Sequence, residues 1–395
     1  MRPFDLPLGY KYATAYAGIR KQEKDDLALI VSATPAAAAA VFTQNKVQAA
    51  PVKLARANMR LSKGVCGAVL VNSGNANCAT KSGDKVANNT TKQLAKLLKL
   101  QPNQVLPAST GVIGVELDEN LIMSKLQTLV DHLSDNALPE VARAILTTDL
   151  QPKGSSREVT LRRGVVKIAG VTKGSGMIHP RMATTLGFVM TDAVIPQTLL
   201  RRMLVRATEL SYNRISVDGD TSTNDTLIVM ANGASGVRPD PKEMSVFEEG
   251  LTETLQSLAR QIVRDGEGAR KLISVEVHGA VSDGAAAAIA RSISNSPLVK
   301  TAIAGSDPNW GRIIMAAGNS GVNFDPATID ITLQDLKVCR GGLAAPFDEG
   351  EMRLRLEDTD VSIVFRIAGK GKGSATFWTC DLTEDYIHIN ASYRT

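Results

Sequence analysis

The chain is poor in the residues that hold metals. It has four cysteines (Cys66, Cys78, Cys339 and Cys380) and four histidines (His132, His179, His278 and His388), and none of the eight forms a CxxC, an HExxH or a His/Cys cluster. Zinc chemistry therefore has no recognisable ligand set, no metal is expected, and the thiols are read as reduced. Aromatics are scarce, at 4%. The net charge of +5 is spread along the chain, with Lys and Arg interleaved among Asp and Glu and no five-residue basic block. Without a clustered basic face and stacking aromatics, nucleic acid is not the expected partner. A modest positive excess suits small anionic substrates better. Long apolar runs are also missing. Nothing approaches the roughly 18 apolar residues of a membrane helix. Pro3, Asp5 and Pro7 interrupt any apolar stretch of the kind a signal peptide needs. These absences predict a cytoplasmic protein with no membrane partner.

At 395 residues the chain exceeds one small core, so two lobes or a large α/β body are expected. Residues 68–71 read as a short apolar strand that runs into Asn72-Ser-Gly-Asn-Ala-Asn77. Helical spacing marks 82–100 and 118–133, the latter with Asp118 as N-cap, and Pro139 starts a short helix ending near Thr147-Thr-Asp149. Residues 158–171 read as a hairpin around Arg163-Gly164. Strands are expected at 186–190 and 225–230, and helices at 196–212 and 241–265. The last third reads mainly as strands, at 272–277, 328–333, 361–367, 374–379 and 386–389. The alanine run 36–40 reads as helix. The fold class is α/β (α+β), with layered sheets and helices.

Among this ordinary patterning one segment stands out: Lys173-Gly-Ser-Gly-Met-Ile-His-Pro-Arg-Met-Ala-Thr-Thr-Leu-Gly-Phe188. It sets the Ala183-Thr184 bond between a Gly/Pro-rich loop and an apolar strand. A threonine hydroxyl with no base beside it is a weak nucleophile. Freed at its own amino group, it gains a base whose ordinary pKa is about 7.7–8.0. Cleavage before Thr184 would thus unmask a nucleophile. The competing reading is a threonine of the strand surface or core.

Acyl transfer also needs oxyanion donors. Ser109-Thr-Gly111 offers a hydroxyl on Thr110 and a closely approachable N–H at Gly111, or else a plain turn after a strand. Lys173 can pair with a substrate carboxylate, and Glu267, between Gly266 and Gly268, can grip an amino group. Asn390 and Thr395 lie in a tail whose apolar strand would hold them in place. Val217-Asp-Gly-Asp-Thr-Ser-Thr-Asn-Asp-Thr226 is not a calcium loop: Thr223 and Val229 stand where glycine and glutamate are required. It reads as a hydrogen-bonded loop near a site. The 305–312 segment is either a structural clasp or a site. Gly369-Lys-Gly-Lys-Gly-Ser374 does not fit GxxxxGK(S/T) and reads as a hairpin turn.

Taken together, segments 71–79, 109–114, 173–188, 213–226, 265–271, 306–313 and 380–395 resemble, in order, the ornithine acetyltransferases of arginine biosynthesis. Bifunctional members are also called glutamate N-acetyltransferase/amino-acid acetyltransferase. Met182-Ala-Thr184, Asp218-Gly-Asp-Thr-Ser-Thr-Asn-Asp225 and Tyr393-Arg-Thr395 are the most specific parts. Thr185 stands where methionine usually follows the nucleophile, and His179 and Arg181 stand where small or neutral residues are usual.

The resemblance implies self-cleavage into fragments 1–183 and 184–395, held together as α2β2. It implies ping-pong transfer of acetyl from N2-acetylornithine to glutamate through acetyl-Thr184, with acetyl-CoA as a possible second donor and no bound cofactor. Thr110 and Gly111 would form the oxyanion hole. Thr147 (or its neighbour Thr148), Lys173, Thr184, Glu267, Asn390 and Thr395 would contact substrate. Two other readings use the same residues: an N-terminal-nucleophile amidase or aminopeptidase, and an uncut, non-catalytic binding protein.

Overall fold

A computed structural model describes residues 5–179 and 185–392. The chain divides into two compact units. Among the described residues, the first comprises those up to 213 and 220–262, and the second 214–219 and 263–392.

In the first unit the chain runs through β1 (Tyr10–Ala15), β2 (Leu27–Phe42), α1 (Ala50–Leu61), β3 (Val65–Asn72), α2 (Gly83–Leu97), β4 (Val105–Ser109), α3 (Glu119–Met123), α4 (Leu126–Asp131), α5 (Leu138–Ala144), β5 (Lys153–Leu161), β6 (Gly164–Lys173), β7 (Leu186–Thr191) and α6 (Gln197–Glu209). After β8 (Ile215–Ser216), which belongs to the second unit, come β9 (Thr226–Ala231) and α7 (Met244–Arg264). Among the described residues the strands form an 8-stranded sheet in the order β4-β3-β2-β9-β7-β6-β5, with β1 beside β2. Alternation along the strands covers both faces. Ala28, Ile30, Val69 and Val71 pack with Leu138, Val141 and Ile145 around α5. Their neighbours Leu27, Leu29, Ala68 and Leu70 pack with Val86 and Leu94 of α2 and Leu126 and Leu129 of α4. Each such fully buried large side chain stabilises the fold by roughly 1.5–3 kcal/mol.

Strand β7 lies inside this sheet, antiparallel to β6 and parallel to β9, with Leu186 opposite both Lys173 and Thr226. All six of its residues are buried. Its continuous apolar composition is what a strand covered on both faces requires. The sheet therefore draws strands from both sides of the 183–184 bond.

The second unit holds β10 (Leu272–Ala280), α8 (Asp283–Ser294), α9 (Pro297–Ala304), α10 (Trp310–Gly318), β11 (Ile329–Leu333), β12 (Leu336–Arg340), β13 (Leu343–Ala344), α11 (Glu349–Leu356), β14 (Asp360–Ile367), β15 (Gly373–Cys380) and α12 (Glu384–Ser392). Its sheet order is β13-β12-β11-β14-β10-β15-β8. Ile273, Val275, Ile331, Ile363 and Phe365 pack against Ile289, Ile293, Val299 and Ile313 of the helices. The mixed α/β class expected from the sequence is thus observed, with one sheet in each unit.

Four local expectations are corrected. Residues 36–40 are strand, within β2. Ala37–Ala40 pair with β9, and the strand is sandwiched between β3 and β9, so ladder bonds override the weak helical preference of alanine. Residues 386–389 are helix, within α12, whose start Thr383 caps by accepting the Asp385 N–H at 3.2 Å. The 118–133 stretch breaks into α3 and α4, with Asp118 capping as expected, its side chain accepting from the Asn120 N–H at 2.9 Å. Residues 369–373 do not turn a hairpin, since β14 and β15 both pair with β10 and lie on opposite sides of it. Instead the loop crosses the end of β10, where a Cβ on Gly371 would sit 2.2 Å from the Gly279 carbonyl oxygen. Within the 305–312 turn, Asn309 caps α10, accepting the Arg312 N–H at 3.3 Å.

Candidate active site

In the first unit, Thr110 and Gly111 follow directly on β4. Thr110 is buried, and its N–H is taken by the Asn72 carbonyl at 2.9 Å. What it can offer an oxyanion is its hydroxyl. Gly111 has φ +129°, and a Cβ there would lie 2.4 Å from the Gly74 carbonyl carbon and 2.6 Å from the Asn75 nitrogen. No other residue fits that approach. Asn72 stiffens the pair of strand ends, donating to the Ser109 hydroxyl at 2.7 Å and accepting the Asn75 N–H at 3.2 Å.

Lys173, the last residue of β6, is buried, and its ammonium donates to the Thr110 hydroxyl at 3.3 Å. Two candidates from distant parts of the chain are therefore in direct contact. Thr147 is also in this unit; its N–H goes to Asp149 at 3.0 Å, while the Thr148 hydroxyl lies 2.7 Å from that of Ser175.

Asp149, overlooked from sequence except as a helix end, organises this corner. It accepts from Lys153 at 2.6 Å and from the Gly174 N–H at 2.7 Å. Burial by itself would raise its pKa. The positive charges of Lys173 and Lys153, with hydrogen bonds from Lys153 and the Thr147 N–H, outweigh burial and hold it down at about 2. It is held as an anion near neutral pH, against the loop that leaves β6.

The 222–226 loop packs at the same place, as its turn-rich sequence implies. The Asn224 amide donates to the carbonyls of Ala76 at 2.7 Å and Ser109 at 2.8 Å. Asp225 is buried and accepts the Thr185 N–H at 2.8 Å. Burial, the largest influence, pushes its carboxyl well above the ordinary carboxylate range, against the Thr185 N–H and the nearby Lys173 charge. Neither residue stands out singly in sequence; the Asn-Asp pair in a turn-rich motif is the one signal.

The second unit brings Glu267 and Asn390 together. The Asn390 amide donates to Glu267 at 2.9 Å and to the Tyr386 carbonyl at 3.0 Å. Gly268, at φ +71°, lets α12 come close: a Cβ there would lie 2.4 Å from the Tyr386 nitrogen. Asn390 is thus placed by a helix and not by the expected strand. Ala183, Thr184 and Thr395 lie outside the described residues.

The first unit can supply a fixed hydroxyl and backbone N–H for a developing oxyanion and a buried cation beside them; the second unit, taken by itself, holds a carboxylate–amide pair. The four cysteines are buried free thiols, and burial pushes the Cys66 thiol up to about 12.

Comparison with known proteins identifies the family. Residues 11–395 match the model of the ArgJ family. The arginine biosynthesis bifunctional protein ArgJ of Nitratidesulfovibrio vulgaris is 43% identical over 393 residues, covering 98% of this chain and 99% of that protein. The Gloeobacter violaceus protein of the same name is 44% identical over 393 residues, covering 98% of this chain and 96% of its own. A crystal structure of the arginine biosynthesis bifunctional protein argJ from Bacillus halodurans is 44% identical at a TM-score of 0.51, covering 52% of this chain and 98% of the solved one. The chain therefore belongs to the ArgJ family.

Proposed function

We propose that this chain cuts its own Ala183-Thr184 bond and then transfers acetyl groups in arginine biosynthesis, from N2-acetylornithine to glutamate. The observation that carries the reading is the contact of Lys173 with Thr110 beside Gly111. It joins a cation suited to an amino-acid carboxylate to donors suited to an acyl oxyanion.

In processing, the Thr184 hydroxyl oxygen attacks the Ala183 carbonyl carbon. The peptide C–N bond breaks, and its nitrogen takes up the hydroxyl proton. Water then hydrolyses the ester, leaving the Ala183 carboxylate and a free Thr184 amine and hydroxyl. In transfer, that amine takes the hydroxyl proton while the oxygen attacks the acetyl carbon. The Thr110 hydroxyl and Gly111 N–H steady the oxyanion, and ornithine leaves with the proton. The glutamate amine attacks acetyl-Thr184 in turn, the ester C–O bond breaks, a proton from the attacking amine returns to the Thr184 oxygen, and N-acetylglutamate departs.

Lys173 and Thr147 would bind substrate carboxylate and amide, Glu267 the cationic end of ornithine, and Asn390 and Thr395 further polar groups. Acetyl-CoA is proposed as a second donor, which would account for the word bifunctional in the names of the relatives. Cleavage is supported by the Bacillus halodurans chain, which covers about half of this one, the size of either fragment. Ladder bonds on both sides of β7 would hold the fragments together after the cut, and an α2β2 assembly is proposed. A cytoplasmic location is proposed with it; among the described residues no helix is long and apolar enough to cross a membrane.

The test is an assay of purified protein with glutamate and either acetylornithine or acetyl-CoA. Stoichiometric N-acetylglutamate supports the reading. Free acetate in its place would make the chain a hydrolase.

A further inference from the structure

We infer that Asn224 and Asp225 are positioning residues that fix the oxyanion donors and the nucleophile relative to each other; this rests on Thr184 being that nucleophile. The two side chains are adjacent in sequence and reach opposite halves of the machinery. Asn224 spends its amide on the carbonyls of Ser109 and Ala76, one on each side of the loop geometry that presents Thr110 and Gly111. Asp225 takes the N–H of Thr185 at 2.8 Å, and the next residue, Thr226, donates its N–H to the Thr185 carbonyl at 2.9 Å. Thr185 is thus clamped on both its main-chain groups. Its nitrogen is the atom bonded to the Thr184 carbonyl carbon, so this clamp is the anchor one bond from the reacting residue.

The clamp is itself fixed. The Asp225 carbonyl accepts the Thr43 N–H at 3.0 Å, and the Thr226 hydroxyl donates to the Asn224 carbonyl at 3.0 Å. Only one oxygen of the Asp225 carboxyl is used in this way. The other takes no partner among the described residues, the Thr43 hydroxyl being turned to the Ser222 carbonyl at 2.6 Å. This fully buried carboxyl, beside the Thr43 hydroxyl and the Lys173 charge, directs its one main-chain bond to the residue after the nucleophile. An apolar side chain would fill the space at lower cost. Burial pushes its carboxyl above the ordinary carboxylate range, and its geometric role toward Thr185 is that of a fixed acceptor.

Reacting groups displaced by about 1 Å lose on the order of 100-fold in rate. The test compares D225N, which keeps the acceptor oxygen, with D225A, which loses it. Fragment formation is followed by mass spectrometry, and kcat, KM and thermal melting are measured on the full chain. D225N should process and turn over within about fivefold of the parent. D225A should lose about 100-fold in kcat with KM changed less than about threefold, and should process correspondingly slowly. Should D225A give no cooperative melt, D225S carries the same expectation, since its short hydroxyl keeps the pocket polar without reaching Thr185. A folded D225A or D225S with parental kcat and processing overturns the inference. So does a D225N as impaired as D225A, which would assign the residue a proton and not a position. Failure of the underlying reading looks different: the parent chain itself would be active while uncut.

Discussion

Lys173 donates its ammonium to the Thr110 hydroxyl at 3.3 Å, across 63 residues of sequence. The contact makes the proposed carboxylate-binding cation and the proposed oxyanion donor one unit, at the ends of β6 and β4. Removing either should show in a different kinetic constant. T110A should lower kcat about 100- to 1,000-fold with little change in KM, the usual cost of one oxyanion donor. K173A should instead raise KM with little change in kcat, because binding of the substrate carboxylate is lost in ground and transition states alike. Steady-state kinetics on purified variants check both.

Gly111 admits no side chain. With φ +129° and the Gly74 carbonyl carbon 2.4 Å from any Cβ, G111A must displace the 72–75 loop or itself. A strained backbone of this kind costs about 1–3 kcal/mol. The variant should melt at lower temperature, and its kcat should fall with that of T110A, since the N–H it carries is displaced.

Asp149 gives the fold an acid limit. Its folded pKa, about 2, lies below the ordinary aspartate value, so its contribution is complete above about pH 4 and is lost as the pH falls towards 2. The linked stability is about 2 kcal/mol. Denaturant titrations from pH 5 to 2 should show that loss in the parent. D149N should lack it and be less stable near neutral pH by about 3–5 kcal/mol, since the buried Lys153 loses its carboxylate partner.

Much of this was legible in the sequence. Apolar runs located β3, β7, β9 and β10, and helical spacing located α2, α6 and α7. Thr110, Gly111 and Lys173 were named from their chemistry and are found together. Local propensity misled where pairing decides, at the alanines of β2 and at 386–389, and it overlooked the helices α8, α9 and α10 between strands. Asp149, Asn224 and Asp225 were missed as site residues because their importance lies in distant partners. Asn224 reaches Ala76 across 148 positions, and Asp225 reaches Thr185 across 40. No spacing rule reports such contacts.

The cysteines offer a check on packing. All four are buried, and burial raises the Cys66 thiol to about 12. Native protein at pH 8 should therefore resist alkylation at Cys66, Cys78, Cys339 and Cys380, while denatured protein should take four groups. Intact and peptide mass spectrometry read the count.

The self-cleaving threonine is tested most directly by mass spectrometry of mature, active protein. The account predicts two species, residues 1–183 and 184–395, the second with a free threonine amine, and a single uncut, inactive T184A chain. One intact species carrying full acetyl-transfer activity would contradict it.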